Sequence, residues 1–98
     1  MGDFRKMEDF ISKKYNLSIL RELLNSQQGV GFNSLIKSLE PITARVLSLR
    51  LKELEKEGFL QKNLVLGAKP KIEYRASQKA EGLRKAIKEL EKFEKNLQ

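Results

Sequence analysis

The chain has 98 residues, enough for one domain with a small core, and its 20 Lys and Arg against 13 Asp and Glu leave a net charge of +7. That balance favours a polyanionic partner, while the absence of Cys and His removes disulfides, thiol nucleophiles, thiolate metal sites and imidazole chemistry, so no cofactor or metal is expected. No apolar run approaches the roughly 20 residues needed to span a bilayer, and MGDFRKMEDF lacks a signal-peptide core, which together predict a cytoplasmic protein with no membrane partner.

In chain order, residues 3–14 read as a helix, with Asp3 as N-cap and Phe4, Met7, Phe10 and Ile11 on roughly one face. A second helix is expected from about Leu17 to Ser26, burying Leu17, Leu20, Leu23 and Leu24. SQQGVG ends it, and Val30 between two glycines predicts a strand of one or two residues paired with a later hairpin. Phe32, Leu35, Ile36 and Leu39 then form a two-turn apolar stripe, stopped at Glu40-Pro41 because the residue before proline is pushed out of the helical region.

Thr43 supplies an N-cap hydroxyl for the next helix, whose buried stripe is Ile42, Leu47, Leu51 and Leu54. Gly58 after Glu57 suits the left-handed residue that closes a helix. Phe59 to Leu66 is rich in strand formers, GAKPK supplies a turn, and Ile72, Tyr74 and Ala76 alternate with Lys71, Glu73 and Arg75 as in a strand with one wet face. Ser77 then caps a final helix of about 20 residues, with Ala80, Leu83, Ile87, Leu90, Phe93 and Leu97 at threes and fours. Helix, helix, hairpin is the order of a winged helix-turn-helix, so the expected fold is α+β, mostly helical, in a single domain over residues 1–98.

The helix that starts at Thr43 and Ala44 carries Arg45, Ser48, Leu49 and Lys52 on one face, opposite its leucines. An α-helix fits the major groove of DNA and reads base edges from such a face. Arg45 matches the two acceptors of guanine with its planar fork. Ser48 suits bases or phosphate, and Lys52 suits phosphate. Leu49 has two readings: contact with a thymine methyl, or packing against the hairpin or a neighbour. Arg50 sits off this face, and no base contact is expected of it. Asn33, Ser34 and Lys37 on the shorter helix are candidates for phosphate contacts, although any exposed helix shows such residues. From Gly58 to Ile72 there is no acidic residue, yet Lys62, Lys69 and Lys71 are present, which fits a phosphate-facing wing; the alternative is an ordinary basic turn.

Three function classes compete. A sequence-specific binder of double-stranded DNA needs the mixed Arg/Ser/Leu face. A protein–protein module needs an acidic or apolar one, and a non-specific architectural binder spreads Lys evenly. An enzyme is disfavoured, because no nucleophile–base pair, P-loop or paired-carboxylate constellation is present. The terminal segments, 1–14 and 77–98, carry Phe4, Met7, Ile11, Leu83, Ile87, Leu90, Phe93 and Leu97. Left open, these exceed the apolar patch a monomer tolerates, which predicts a homodimer. The alternative is that the two helices cover each other within one chain.

KYNLSILREL, GFNSLIKSL, PITARVLSLRLKELEKEGFL and KIEYRAS–KAEGL together resemble the HxlR-type winged-helix transcriptional regulators, within the MarR-like group, over roughly residues 13–85. The resemblance implies homodimers on near-palindromic DNA sites, a recognition helix over residues 43–56, a wing near residues 66–71 and an interface built from the terminal helices. This chain departs from the family's pattern in places. It lacks the family's N-terminal Cys, which excludes thiol sensing, and Tyr15 stands where Trp is common. Gly31 replaces an arginine expected to contact DNA, and Ala76-Ser77 replaces Leu-Thr after the wing, keeping the capping hydroxyl.

Overall fold

The computed structural model of the protein describes residues 3–97. Its helices are α1 (Arg5–Ser12), α2 (Asn16–Asn25), α3 (Phe32–Ser38), α4 (Ala44–Lys56), α5 (Gln78–Glu81) and α6 (Arg84–Glu94), followed by a 3₁₀ turn over Lys95–Leu97. The strands β1 (Val30–Gly31), β2 (Leu60–Val65) and β3 (Lys71–Ala76) form an antiparallel sheet in the order β1-β3-β2. This is a winged helix-turn-helix, as the order of elements predicts. Met1, Gly2 and Gln98 of the expected terminal segments lie outside the described residues. Among the described residues no helix is long and apolar enough to cross a membrane.

The core is built where the apolar stripes meet. Leu20 and Ile19 of α2, Leu35 of α3 and Leu47 and Leu54 of α4 are wholly buried, with Leu60 closing the base of the hairpin. Within α2 the buried set is Ile19, Leu20, Leu23 and Leu24, whereas Leu17 is only partly covered. That corrects the expected stripe: α2 begins at Asn16, and Ile19 turns inward. Phe10 of α1 is also buried, its ring 4.9 Å from that of Phe59.

Two local devices fix α4. Thr43 Oγ1 accepts the Val46 N–H at 3.1 Å, the predicted cap. At the other end Gly58 adopts φ +84, a left-handed conformation that costs glycine little. The Phe59 N–H then reaches the Leu54 carbonyl and the Gly58 N–H the Glu55 carbonyl, closing the helix in a Schellman motif. Lys79 Nζ and the Ser77 hydroxyl donate to the Glu57 and Gly58 carbonyls, so the segment after the wing seals the same helix end.

The hairpin register pairs Leu60 with Ala76, Lys62 with Tyr74 and Leu64 with Ile72. Val30 pairs with Tyr74 and Gly31 with Glu73, so the two-residue strand expected at Val30 is present. Gly29 allows that approach, because a Cβ there would sit 2.8 Å from the Cβ of Glu73. The alternation of β3 is weaker than its sequence implies: Ile72 is exposed while Glu73 is half-buried.

Two further expectations are corrected. Asp3 does not cap α1. The cap position is Phe4, and the Asp3 carboxylate instead accepts the backbone N–H and guanidinium of Arg5. The terminal helix is not continuous either. Ser77 caps α5 through the Ala80 N–H, but the chain breaks at Gly82-Leu83, where N–H groups bond three residues back, to Lys79 and Ala80. The break lets α6 lie along α2 and bury Ile87.

Candidate nucleic-acid interface

α4 presents two faces with different surroundings. Leu47, Leu51 and Leu54 are buried, and Ile42 packs with them from the segment before the cap. On the opposite side Arg45, Ser48, Leu49 and Lys52 are all exposed, and Thr43 and Ala44 are exposed at the capped end. Leu49 keeps 49% of its surface, so about half of it stays open. The expected reading face is therefore one continuous open surface.

The charges on that surface differ from those elsewhere. Arg5, Arg21, Arg50 and Arg84 each pair with a carboxylate, and Arg75 donates to the Gln27 carbonyl. Arg45 alone among the arginines has neither an ion pair nor a side-chain hydrogen bond within the described residues. Its full set of guanidinium donors is available to an external acceptor. Arg50, one turn along and off the face, is turned back onto the protein and is half-buried.

α3 carries Asn33, Ser34 and Lys37 exposed on the side away from buried Leu35. Gly31, which precedes it, has open space where a side chain would begin, since an added Cβ meets nothing within 4 Å. Lys62 and Lys69 are exposed on the hairpin without carboxylate partners among the described residues. Lys71 differs, because its Nζ lies 3.4 Å from Glu73 Oε2. The absence of acids from Gly58 to Ile72 concealed this pairing, which comes from the next residue in the strand but one. The hairpin tip is also more apolar than the lysine pattern implies: Leu64 and Leu66 stay 60% and 76% exposed. Imperfect alternation along residues 59–66 was the only trace of that in the sequence.

At the termini, Ile87 is buried in the chain's own core, and Met7 and Leu83 pack against it. The uncovered apolar residues there narrow to Phe4, Ile11, Leu90, Phe93 and Leu97, each between 46% and 65% exposed.

The family model of the HxlR-like helix-turn-helix matches residues 10–98. The chain belongs to the HxlR-like family. The HTH-type transcriptional regulator YvaP of Bacillus subtilis (strain 168) is 34% identical over 90 residues, spanning 92% of this chain and 82% of that protein. A transcriptional regulator of the MarR family from Enterococcus faecalis V583 superposes with a TM-score of 0.75 at 25% identity, over 99% of this chain and 89% of its own. The HTH-type transcriptional regulator ytcD shares the fold with a TM-score of 0.85 at 24% identity, over 98% of this chain and 96% of its own. This HxlR-like chain is thus a transcriptional regulator with a helix-turn-helix DNA-binding fold, and not an enzyme.

Proposed function

We propose that this HxlR-like regulator is a single-domain, sequence-specific binder of double-stranded DNA that acts as a homodimer on near-palindromic sites. α4 enters the major groove, with Arg45 bidentate on guanine, Ser48 and Leu49 beside it, and Lys52 on phosphate. Thr43 and Ala44 stand at the helix end nearest the bases. Asn33, Ser34 and Lys37 of α3 bind the backbone, and Lys62 and Lys69 carry the wing. Lys71 is held partly by Glu73 and contributes less. The observation that carries this reading is Arg45: an unpaired guanidinium on the open face of a helix whose other face is wholly buried.

The uncovered residues Phe4, Ile11, Leu90, Phe93 and Leu97 support the dimer, because a second copy would cover them. A two-fold dimer of this kind sets its recognition helices about 34 Å apart, one turn of duplex.

A mobility-shift titration on random and selected duplexes at two salt concentrations tests the assignment. Arg45→Ala is expected to lose about 1–3 kcal/mol on the selected duplex and to relax its specificity. Lys69→Ala is expected to weaken all duplexes alike and to lessen the salt slope by about 0.9. Equal behaviour of the two variants, or a parent protein with no preference among duplexes, rejects the roles of Arg45 and Lys69.

A further inference from the structure

Arg50 is a cation on α4 that the DNA-reading face does not use. Its Nε donates to the Lys14 carbonyl at 3.1 Å and its Nη1 to Glu53 Oε1 at 3.1 Å. The other oxygen of Glu53 lies 3.6 Å from Lys13 Nζ. Two residues of α4 are thereby fastened to Lys13 and Lys14, which join α1 to α2.

That junction is itself held firmly. Tyr15 sits at φ +81 and ψ −8, left-handed for a residue with a bulky side chain, a conformation that persists only where the surroundings over-determine it. Asn16 is buried, its Nδ2 donating to the Phe10 carbonyl at 3.1 Å and its N–H to the Lys13 carbonyl at 3.1 Å. The Lys14 carbonyl is consequently a fixed anchor and not a loose loop atom.

Besides the bonds at its C-terminal end, α4 is held along its length in two ways that differ in kind. Leu47, Leu51 and Leu54 bury it through contacts that are not directional, so they resist removal of the helix more than its rotation about its own axis. Charge-assisted hydrogen bonds near 3 Å are directional and fix that rotation. A small turn of α4 would swing Arg45 and Lys52 away from their targets while leaving the leucines buried.

We propose that Arg50 is a positioning residue: its guanidinium, forked between the Lys14 carbonyl and Glu53, sets the rotation of α4 against the α1–α2 junction and thereby the aim of the reading face. This role rests on α4 being the helix that reads DNA. It also links the aim of α4 to the segment that carries Phe4 and Ile11.

The test compares the parent protein with Arg50→Lys, Arg50→Ala and Glu53→Gln on a selected and a random duplex across several salt concentrations, with thermal unfolding alongside. Lysine keeps the charge but lacks the fork. All three variants are expected to lose preference for the selected duplex by roughly three- to thirty-fold, with the parent salt slope. Lys52→Ala, as a control for a phosphate contact, should lessen that slope by about 0.9. Glu53→Gln keeps size and shape, so it carries the test if an Arg50 variant does not fold. Full preference in Arg50→Lys, or a slope reduced as in Lys52→Ala, overturns the positioning role. A general loss on both duplexes that tracks the fall in Tm also overturns it, because that is simple destabilisation. A parent protein with no preference overturns the DNA-reading assignment of α4 and the role of Arg50 with it; a parent preference that the variants retain removes only the role of Arg50.

Discussion

α4 and α6 carry apolar stripes with the same helical spacing, yet the structure treats them oppositely. Leu47, Leu51 and Leu54 are at most 3% exposed, whereas Leu90 and Phe93 of α6, with Leu97 in the turn after it, retain 51% to 65% of their surface. The difference is one of position in the chain. α4 packs against the base of β2, and its leucines point into the core shared with α2 and α3. α6 follows the break at Gly82 and lies against α2 through Ile87 and the Arg21–Glu91 pair, but the rest of its stripe meets no further layer among the described residues. An amphipathic pattern shows that a helix has a face to bury, and the tertiary arrangement decides whether the same chain buries it.

Substitutions in the two stripes should separate these cases sharply. Leu47→Ala removes a wholly buried side chain and is expected to cost about 2–5 kcal/mol in denaturant unfolding. A similar loss from Leu90→Ala, measured dilute enough for the chain to be monomeric, would break the contrast. Phe93→Glu addresses the same surface from the side of assembly. Burying a phenylalanine contributes roughly 1.5–3 kcal/mol, so on the proposed homodimer sedimentation should show association weakened by more than about tenfold while the unfolding midpoint of the single chain hardly moves.

Thr43→Ala tests how α4 begins. It removes one capping hydrogen bond and is expected to cost about 1 kcal/mol, with the far-UV spectrum nearly unchanged. The smallest effect concerns pH. Burial, with a lesser push from Glu55, raises the Tyr74 phenol above its ordinary value of 10.0. At neutral pH the phenol is uncharged in both folded and unfolded chains and contributes no pH dependence. Above about pH 10 the unfolded chain ionises first and folding stability declines. Tyr74→Phe should remove that decline, read as the change in unfolding midpoint between about pH 9 and about pH 11.

The elements nearest the candidate interface were the most legible in the sequence, because their limits are set by local chemistry. Thr43, Pro41 and Gly58 each act within a few residues of backbone, and the hairpin follows from turn residues between strand formers. What stayed hidden depends on distant partners. Ile19 is the exception: it stands four residues before Leu23, so helical spacing itself sets it on the buried face, with Leu17 at the margin. Glu73 has the spacing of a wet-face residue, but β1 packs beside it, with Gly29 over its side chain. Gly82 inside a good helical stripe is a weak signal of a break, and the burial of Ile87 against α2 explains why the chain turns there. Helical spacing sets Arg50 apart from the reading face, but its bond to the Lys14 carbonyl spans 36 residues and leaves no trace in the local pattern.

β1 has only two residues, yet it occupies a mechanical crossroads. Gly31 ends the strand and α3 begins at the next residue, while β3, to which β1 is bonded, carries the far side of the wing. A tilt of the hairpin is passed straight into the helix-turn-helix through the pairs Val30–Tyr74 and Gly31–Glu73. The protein thus resembles a caliper whose jaws share one bar more than a pair of independently hinged fingers. On the proposed mode of binding such a tool gauges spacing: α4 and the wing meet the duplex as two jaws tied to one bar, so the width between them counts as well as the fit at either one.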